Sequence, residues 1–190
     1  EGEKLAPVTA TPLLEGLPND LMVDEIHPWQ TGVEANVGVT MVEGKSPMWF
    51  YDPLYGGDKD DLTPGVTHTF VLAGEAYAQI WLADNPGKTR LDVPPLKVDV
   101  SKRHMIMPGR NFCEYQVRAT IEEVRDCQLE QMPVKLLYLS FPFDDRQPMR
   151  LPVYASKMTL GDYEPEVGHD IDAYVWLQGR IIDIDEGPQQ

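Results

Sequence analysis

Asp170-Ile-Asp-Ala-Tyr-Val-Trp-Leu-Gln-Gly-Arg-Ile181 is the longest regular pattern in the chain, and the fold is read from it. Ile171, Ala173, Val175, Leu177, Gly179 and Ile181 fall on one face; Asp172, Tyr174, Trp176, Gln178 and Arg180 fall on the other. Alternation with period two is the signature of a β-strand with one face in a core. The second face mixes two large aromatics with an acid, an amide and an arginine, a combination suited to contacting another surface. It is the candidate binding face. The competing reading is that the first half of the chain covers it.

Working outward, other segments show the same period. Val33, Ala35, Val37, Val39 and Met41 alternate with polar residues, and Met48 to Tyr51 resume a strand that stops at Asp52-Pro53. Val66 to Leu82 reads as two strands with a bulge at Gly74, with a short helix over Glu75–Leu82 as the rival. Leu91 to Val100 reads as an edge strand. Tyr115, Val117, Ala119 and Ile121 alternate, and Glu122-Glu123 shifts the phase. Arg125 to Met132 reads as a polar connection. Val134 to Phe141 is a nearly continuous apolar run, as for a strand buried on both faces. Met149 to Ala155 is another strand, and Lys157 to Gly168 a connection. Turn signals stand at Glu43-Gly44-Lys45, Asp84-Asn85-Pro86-Gly87, Pro108-Gly109 and Phe143 to Pro148. Before all this, Pro7, Pro12, Pro18 and Pro28 interrupt each short apolar patch. Residues 1–32 therefore read as an extended lead-in with a helical turn after Asn19-Asp20, and His27-Pro28-Trp29 as an edge.

Composition agrees with short strands. The chain has 190 residues, 17 of them proline and 15 glycine, and proline is excluded from helix interiors. The 42% hydrophobic content suffices for a core. The net charge of −15 repels phosphate backbones and anionic membranes and suits a basic protein partner. No apolar run reaches membrane-spanning length. The opening Glu-Gly-Glu-Lys has no signal-peptide pattern, so a soluble, cytoplasmic protein is favoured, although such an opening also follows removal of a signal or tag. Cys113 and Cys127 form no zinc pattern; they read as two thiols or, if their strands are neighbours, as a disulfide.

Few residues suggest chemistry. Asp58, Asp60 and Asp61, near Asp52, are the candidate metal ligands, but their spacing lacks the geometry of a calcium loop and a solvated turn is expected. His169, Asp170 and Asp172 are the candidate general base and carboxylates of a metal-dependent or His/Asp hydrolase. No nucleophile elbow and no phosphate-cradling glycine loop is present, and no cofactor is indicated. Lys102-Arg103-His104 is a short basic cluster.

The order of elements from residue 112 to 184 resembles a small OB-like barrel, on strand pattern alone. The resemblance implies an all-β protein of two packed units: a first β unit at 33–109 and an OB-like barrel at 110–190. The expected function is a non-enzymatic, acidic interaction module acting through protein contacts. The hydrolase, and an OB-type binder of single-stranded nucleic acid disfavoured by the charge, are the alternatives.

Overall fold

A computed structural model describes residues 11–41, 47–83, 105–141 and 149–182. The protein is all-β. Its strands are β1 (Leu17–Pro28), β2 (Ala35–Met41), β3 (Pro47–Asp52), β4 (Thr67–Ala76), β5 (Trp81–Leu82), β6 (Met105–Pro108), β7 (Glu114–Leu129), β8 (Met132–Phe141), β9 (Met149–Ser156) and β10 (Asp170–Ile181). Two single helical turns, α1 (Tyr55–Asp58) and α2 (Lys157–Leu160), sit between them. No helix among the described residues is long and apolar enough to cross a membrane.

All ten strands join one sheet, and β10 is its hub. It pairs with β7 over Asp170–Trp176 and with β5 at Ile171 and Asp172. Further along it pairs with β4 over Leu177–Ile181 and with β3 at Gln178. β4 branches in the same way: Thr67–Leu72 pair with β1, and Gly74 and Glu75 pair with β9. With the antiparallel β7–β8, β8–β9, β1–β2 and β2–β3 ladders, two five-strand circuits result. One runs β10–β7–β8–β9–β4, the other β10–β3–β2–β1–β4, and both share the β4–β10 ladder. Closing a sheet on itself satisfies backbone groups that an open edge would leave unpaired. The closures of both circuits are short parallel ladders, β4–β9 with two residue pairs and β10–β3 with one, so the long antiparallel ladders carry most of the pairing.

The core follows the period-two pattern. Ile171, Ala173, Val175 and Leu177 are all fully buried. They join Val37, Phe50, Phe70 and Leu72 from the first half and Val117, Leu139, Leu151 and Val153 from the second in one cluster. Each fully buried aliphatic or aromatic side chain contributes about 1.5–3 kcal/mol. Gly179 belongs to this face for a steric reason: a Cβ there would stand 2.6 Å from Leu72 Cδ2 and 2.7 Å from Phe50 Cδ2. A smaller outer cluster holds Leu14, Ala73, Val134, Leu136 and Tyr154. Val134 and Leu136 thus face outward while Leu137, Leu139 and Phe141 face the main core, which is why β8 reads as apolar on both sides.

Several expectations need correction. The segment after Asn19-Asp20 is no helical turn but part of β1, hydrogen-bonded on both edges to β2 and β4. Proline at its first and last turns is tolerated because Pro18 and Pro28 lie near the ends of the strand. The expected bulge at Gly74 is absent: β4 is regular through it, and the break to β5 comes at Tyr77–Ile80. The glycine instead lets Val153 and Val175 approach, at 3.3 and 3.5 Å from where a Cβ would be. Arg125–Leu129 is no connection but the outer end of β7, paired with β8 to the tip at Glu130 and Gln131. Arg125, Asp126 and Gln128 are exposed there, while Cys127 and Leu129 pack against the outer cluster. The phase shift at Glu122-Glu123 is a genuine register shift between Ile121 and Glu123. Cys113 and Cys127 are free thiols, so the disulfide does not form. The turns at 43–45, 84–87 and 143–148, the edge strand at 91–100 and the basic cluster at 102–104 lie outside the described residues.

Candidate functional site

The second face of β10 is divided along its length. Asp172 is 3% exposed and receives Arg118, its direct neighbour across the β7 ladder, through two bonds of 2.8 and 2.6 Å. Gln178 is 2% exposed and holds the N-terminal segment: its Oε1 accepts from Leu14 N at 2.7 Å, and its Nε2 donates to Pro12 O at 3.0 Å. Tyr154 takes up the next residue, with its hydroxyl 3.1 Å from both Glu15 N and Glu15 O. Residues 12–16 therefore cross the sheet outside the core, with Leu14 set into the outer cluster. Tyr174, Trp176 and Arg180 remain half-buried.

The two aromatics of this face continue into a larger band. Trp176 stacks on Tyr51 at 4.7 Å, and Tyr51 on Trp29 at 5.2 Å. Tyr174 lies 6.2 Å from Tyr77. Two residues before Tyr51 on β3, and so on the same side of the sheet, Trp49 begins a second row. It packs over Gly38, where a Cβ would be 3.0 Å from the indole, and touches His27 at 4.8 Å and Phe112 at 4.9 Å. His27 and Phe112 complete the triangle at 5.6 Å.

Phe112 is put there by the β6–β7 hairpin. Gly109 N donates to Glu114 O at 2.6 Å and Glu114 N to Asn111 O at 3.3 Å, closing the tip tightly. A side chain at Gly109 would stand 2.8 Å from Glu114 Cβ. The turn ends at Cys113, a non-glycine residue in the left-handed region with φ 66°. Its buried thiol, pushed up to about 12 chiefly by burial, donates weakly to Asn36 Oδ1 at 3.4 Å. From the next strand Tyr115 reaches back, its hydroxyl accepting from Trp49 N at 2.6 Å. The tip is thus tied to β2 and β3. Phe112 is 54% exposed at the rim of an open cleft of about 500 Å³ that Trp49, Pro47, Pro108 and Arg110 also line.

Carboxylates are bound to the rings of this band. Glu34 accepts from the Tyr51 hydroxyl, whose pKa is raised first by burial and then by that contact. Glu114, which lines the cleft beside Phe112, accepts from Asn111 Nδ2 at 2.8 Å. Glu25 lies 2.6 Å from His27 Nε2.

Below the band, Asp52 closes β3. It is fully buried; Oδ1 accepts from Leu54 N at 2.9 Å, shaping the turn into α1, while Oδ2 finds no partner among the described residues. Burial raises its pKa from 3.8 to about 6, against the opposing effects of the backbone bonds and of Arg180. A folded pKa above the unfolded one means that the proton favours the fold. The contribution is complete below about pH 4 and lost as pH rises through 6. A shift of this size corresponds to about 3 kcal/mol. In urea unfolding at pH 4.5 and pH 7, Asp52→Asn is therefore expected to gain stability relative to the parent as pH rises; a constant difference would show that burial of this carboxylate costs nothing.

The residues proposed for chemistry make separate contacts among the described residues. His169 Nδ1 is 2.9 Å from the Tyr163 hydroxyl, and its Nε2 is 3.7 Å from Glu166. Asp170 accepts from Thr120, and Asp172 is taken by Arg118. Asp58 ends α1, with Asp60 and Asp61 exposed after it. Among the described residues no group of three or more His, Cys, Asp or Glu is arranged to hold a metal ion. What the sequence did not reveal is the His27–Trp49–Phe112 triangle, built from three distant segments. The only local signal was Phe112 three residues after the Pro108-Gly109 turn. Compared with known proteins, the chain matches no family model, and no curated protein resembles it significantly in sequence.

Proposed function

We propose that this chain is a non-enzymatic interaction module that binds another protein through the aromatic band of Trp29, Tyr51, Trp176, Trp49, His27 and Phe112. One observation carries the reading: Phe112 is held 54% exposed by a tight hairpin, against Trp49 and His27, beside an open cleft. A phenyl ring left in water on a braced support loses little conformational entropy when a partner covers it, and such aromatics dominate protein interfaces. The Tyr174 and Trp176 part of the β10 face belongs to this surface, Asp172 and Gln178 support it from below, and Arg180 lies beyond Gln178 on the same strand face.

The OB-like resemblance supports a second reading, single-stranded nucleic acid stacked on the same rings. The circuit through β7, β8, β9 and β10 counts five strands, as an OB barrel does, although its fifth, β4, lies outside residues 110–190. The charge of −15 weighs against it, because few phosphates would be neutralised. The hydrolase reading draws less support, since each of its carboxylates is already engaged.

The test is selection of random dodecapeptides on phage against the immobilised protein, with Phe112→Ala as counter-screen and its circular dichroism checked. Enriched peptides are expected to bind the parent and to lose about tenfold or more in affinity on Phe112→Ala. Peptides that bind both proteins equally, or no enrichment, would overturn the reading. Tight, salt-sensitive binding of an oligothymidine would replace it with the nucleic-acid one.

A further inference from the structure

We propose that the segment seated on the aromatic band is cationic and engages it through arginine side chains; this rests on the protein-binding reading above. The band combines ring faces with carboxylates, two of them fastened to its rings and a third in the cleft lining. Glu34 is bonded to Tyr51 and Glu25 to His27, and Glu114 lines the cleft beside Phe112. A guanidinium suits such a surface better than any other side chain. Its plane stacks on a ring, where the π-electron face attracts the positive charge, while its edge donates to a carboxylate.

The chain contains its own example of that arrangement. On the outer side of β7, β8 and β9, the Tyr138 ring carries Arg125 at 4.9 Å and Arg150 at 5.5 Å. Each of these arginines is also tied to an acid, Arg125 to Glu123 at 2.5 Å and Arg150 to Glu122 at 2.8 Å. There ring, carboxylate and guanidinium are all supplied internally. Among the described residues, arginine lies over a ring only at Tyr138. On the band the rings and carboxylates are present, and among the described residues no arginine lies over Trp49, Phe112, Tyr51 or Trp176, the faces a partner's arginine would take. Among the described residues lining the cleft, Arg110 is the one cation, and Glu114 lines it too. The net charge of −15 draws a basic segment toward the molecule from a distance and speeds its encounter.

The experiment measures fluorescence anisotropy of a labelled octapeptide of alternating arginine and glycine, at physiological salt. Its counterpart replaces arginine with citrulline, which keeps the planar shape and loses the charge. The arginine peptide is expected to bind about tenfold or more tightly than the citrulline peptide, since each desolvated cation–ring contact contributes about 1–2 kcal/mol. Phe112→Ala and Glu114→Gln, each checked for an unchanged circular dichroism spectrum, are expected to weaken it. Equal affinity for both peptides, no binding of either, or arginine binding indifferent to both substitutions would overturn the proposal, the last by showing diffuse attraction alone. If the selected dodecapeptides depend on Phe112 yet carry no arginine, the cationic occupant is excluded while the interaction module stands.

Discussion

Leu177→Ala is expected to destabilise the fold by about 2–5 kcal/mol, and Trp176→Ala by about 1–2 kcal/mol, although the tryptophan loses more atoms. Leu177 is fully buried where β10 passes from its pairing with β7 to its pairing with β4, and its side chain belongs to the core common to both circuits. Truncation there leaves a cavity within the close-packed main core, which relaxes little. Trp176 points the other way, is half-buried, and loses principally its stack on Tyr51. Urea unfolding of the two variants side by side reads the difference directly. Equal large losses would make Trp176 a scaffold residue and remove the β10 aromatics from the proposed surface. If Trp176 serves binding, its truncation shows instead in the affinity of a selected peptide.

Asp172→Ala is expected to cost about 3–5 kcal/mol, more than a charged residue on a strand usually does. The Arg118 side chain is 14% exposed and directs two bonds at this carboxylate. Without Asp172 the guanidinium stays largely buried and loses both bonds from its cross-strand carboxylate, and its desolvation, more than the lost attraction, sets the magnitude. The double variant Asp172→Leu with Arg118→Met removes both charges and is expected to recover most of the loss. Chemical denaturation of the single and double variants forms the cycle. A single variant within about 1 kcal/mol of the parent would show the pair to be as weak as a surface ion pair.

The two predictions use opposite faces of one strand, and they mark how far sequence reading reached. The core face of β10 was legible because alternation is local: successive side chains of an extended backbone point to opposite sides whatever the neighbours are. The same logic made β2, β3, β8 and β9 readable, and β7 as far as Ile121. It failed for β1, whose prolines read as interruptions, and for Arg125–Leu129, whose charges read as a loop. In both places the strand is held by partners far away in sequence, and cross-strand hydrogen bonds outweigh local preference. The candidate binding face was legible as a set of residues and not as a surface. Asp172 and Gln178 looked equivalent to Trp176 until Arg118 and the segment at Pro12–Leu14 were found against them.

By itself, then, the sequence determined the all-β class, the core face of the hub strand, the acidity of the surface and the absence of a recognisable catalytic motif. Those are properties of residue type and of short-range geometry. The tertiary structure decided that β4 and β10 are shared by two circuits, which residues of the second face are covered, and that His27, Trp49 and Phe112 meet. Such contacts are not encoded at any single position. They arise because burying a face of ten strands at once selects one arrangement among many with the same local pattern, and the aromatic band exists only in that arrangement.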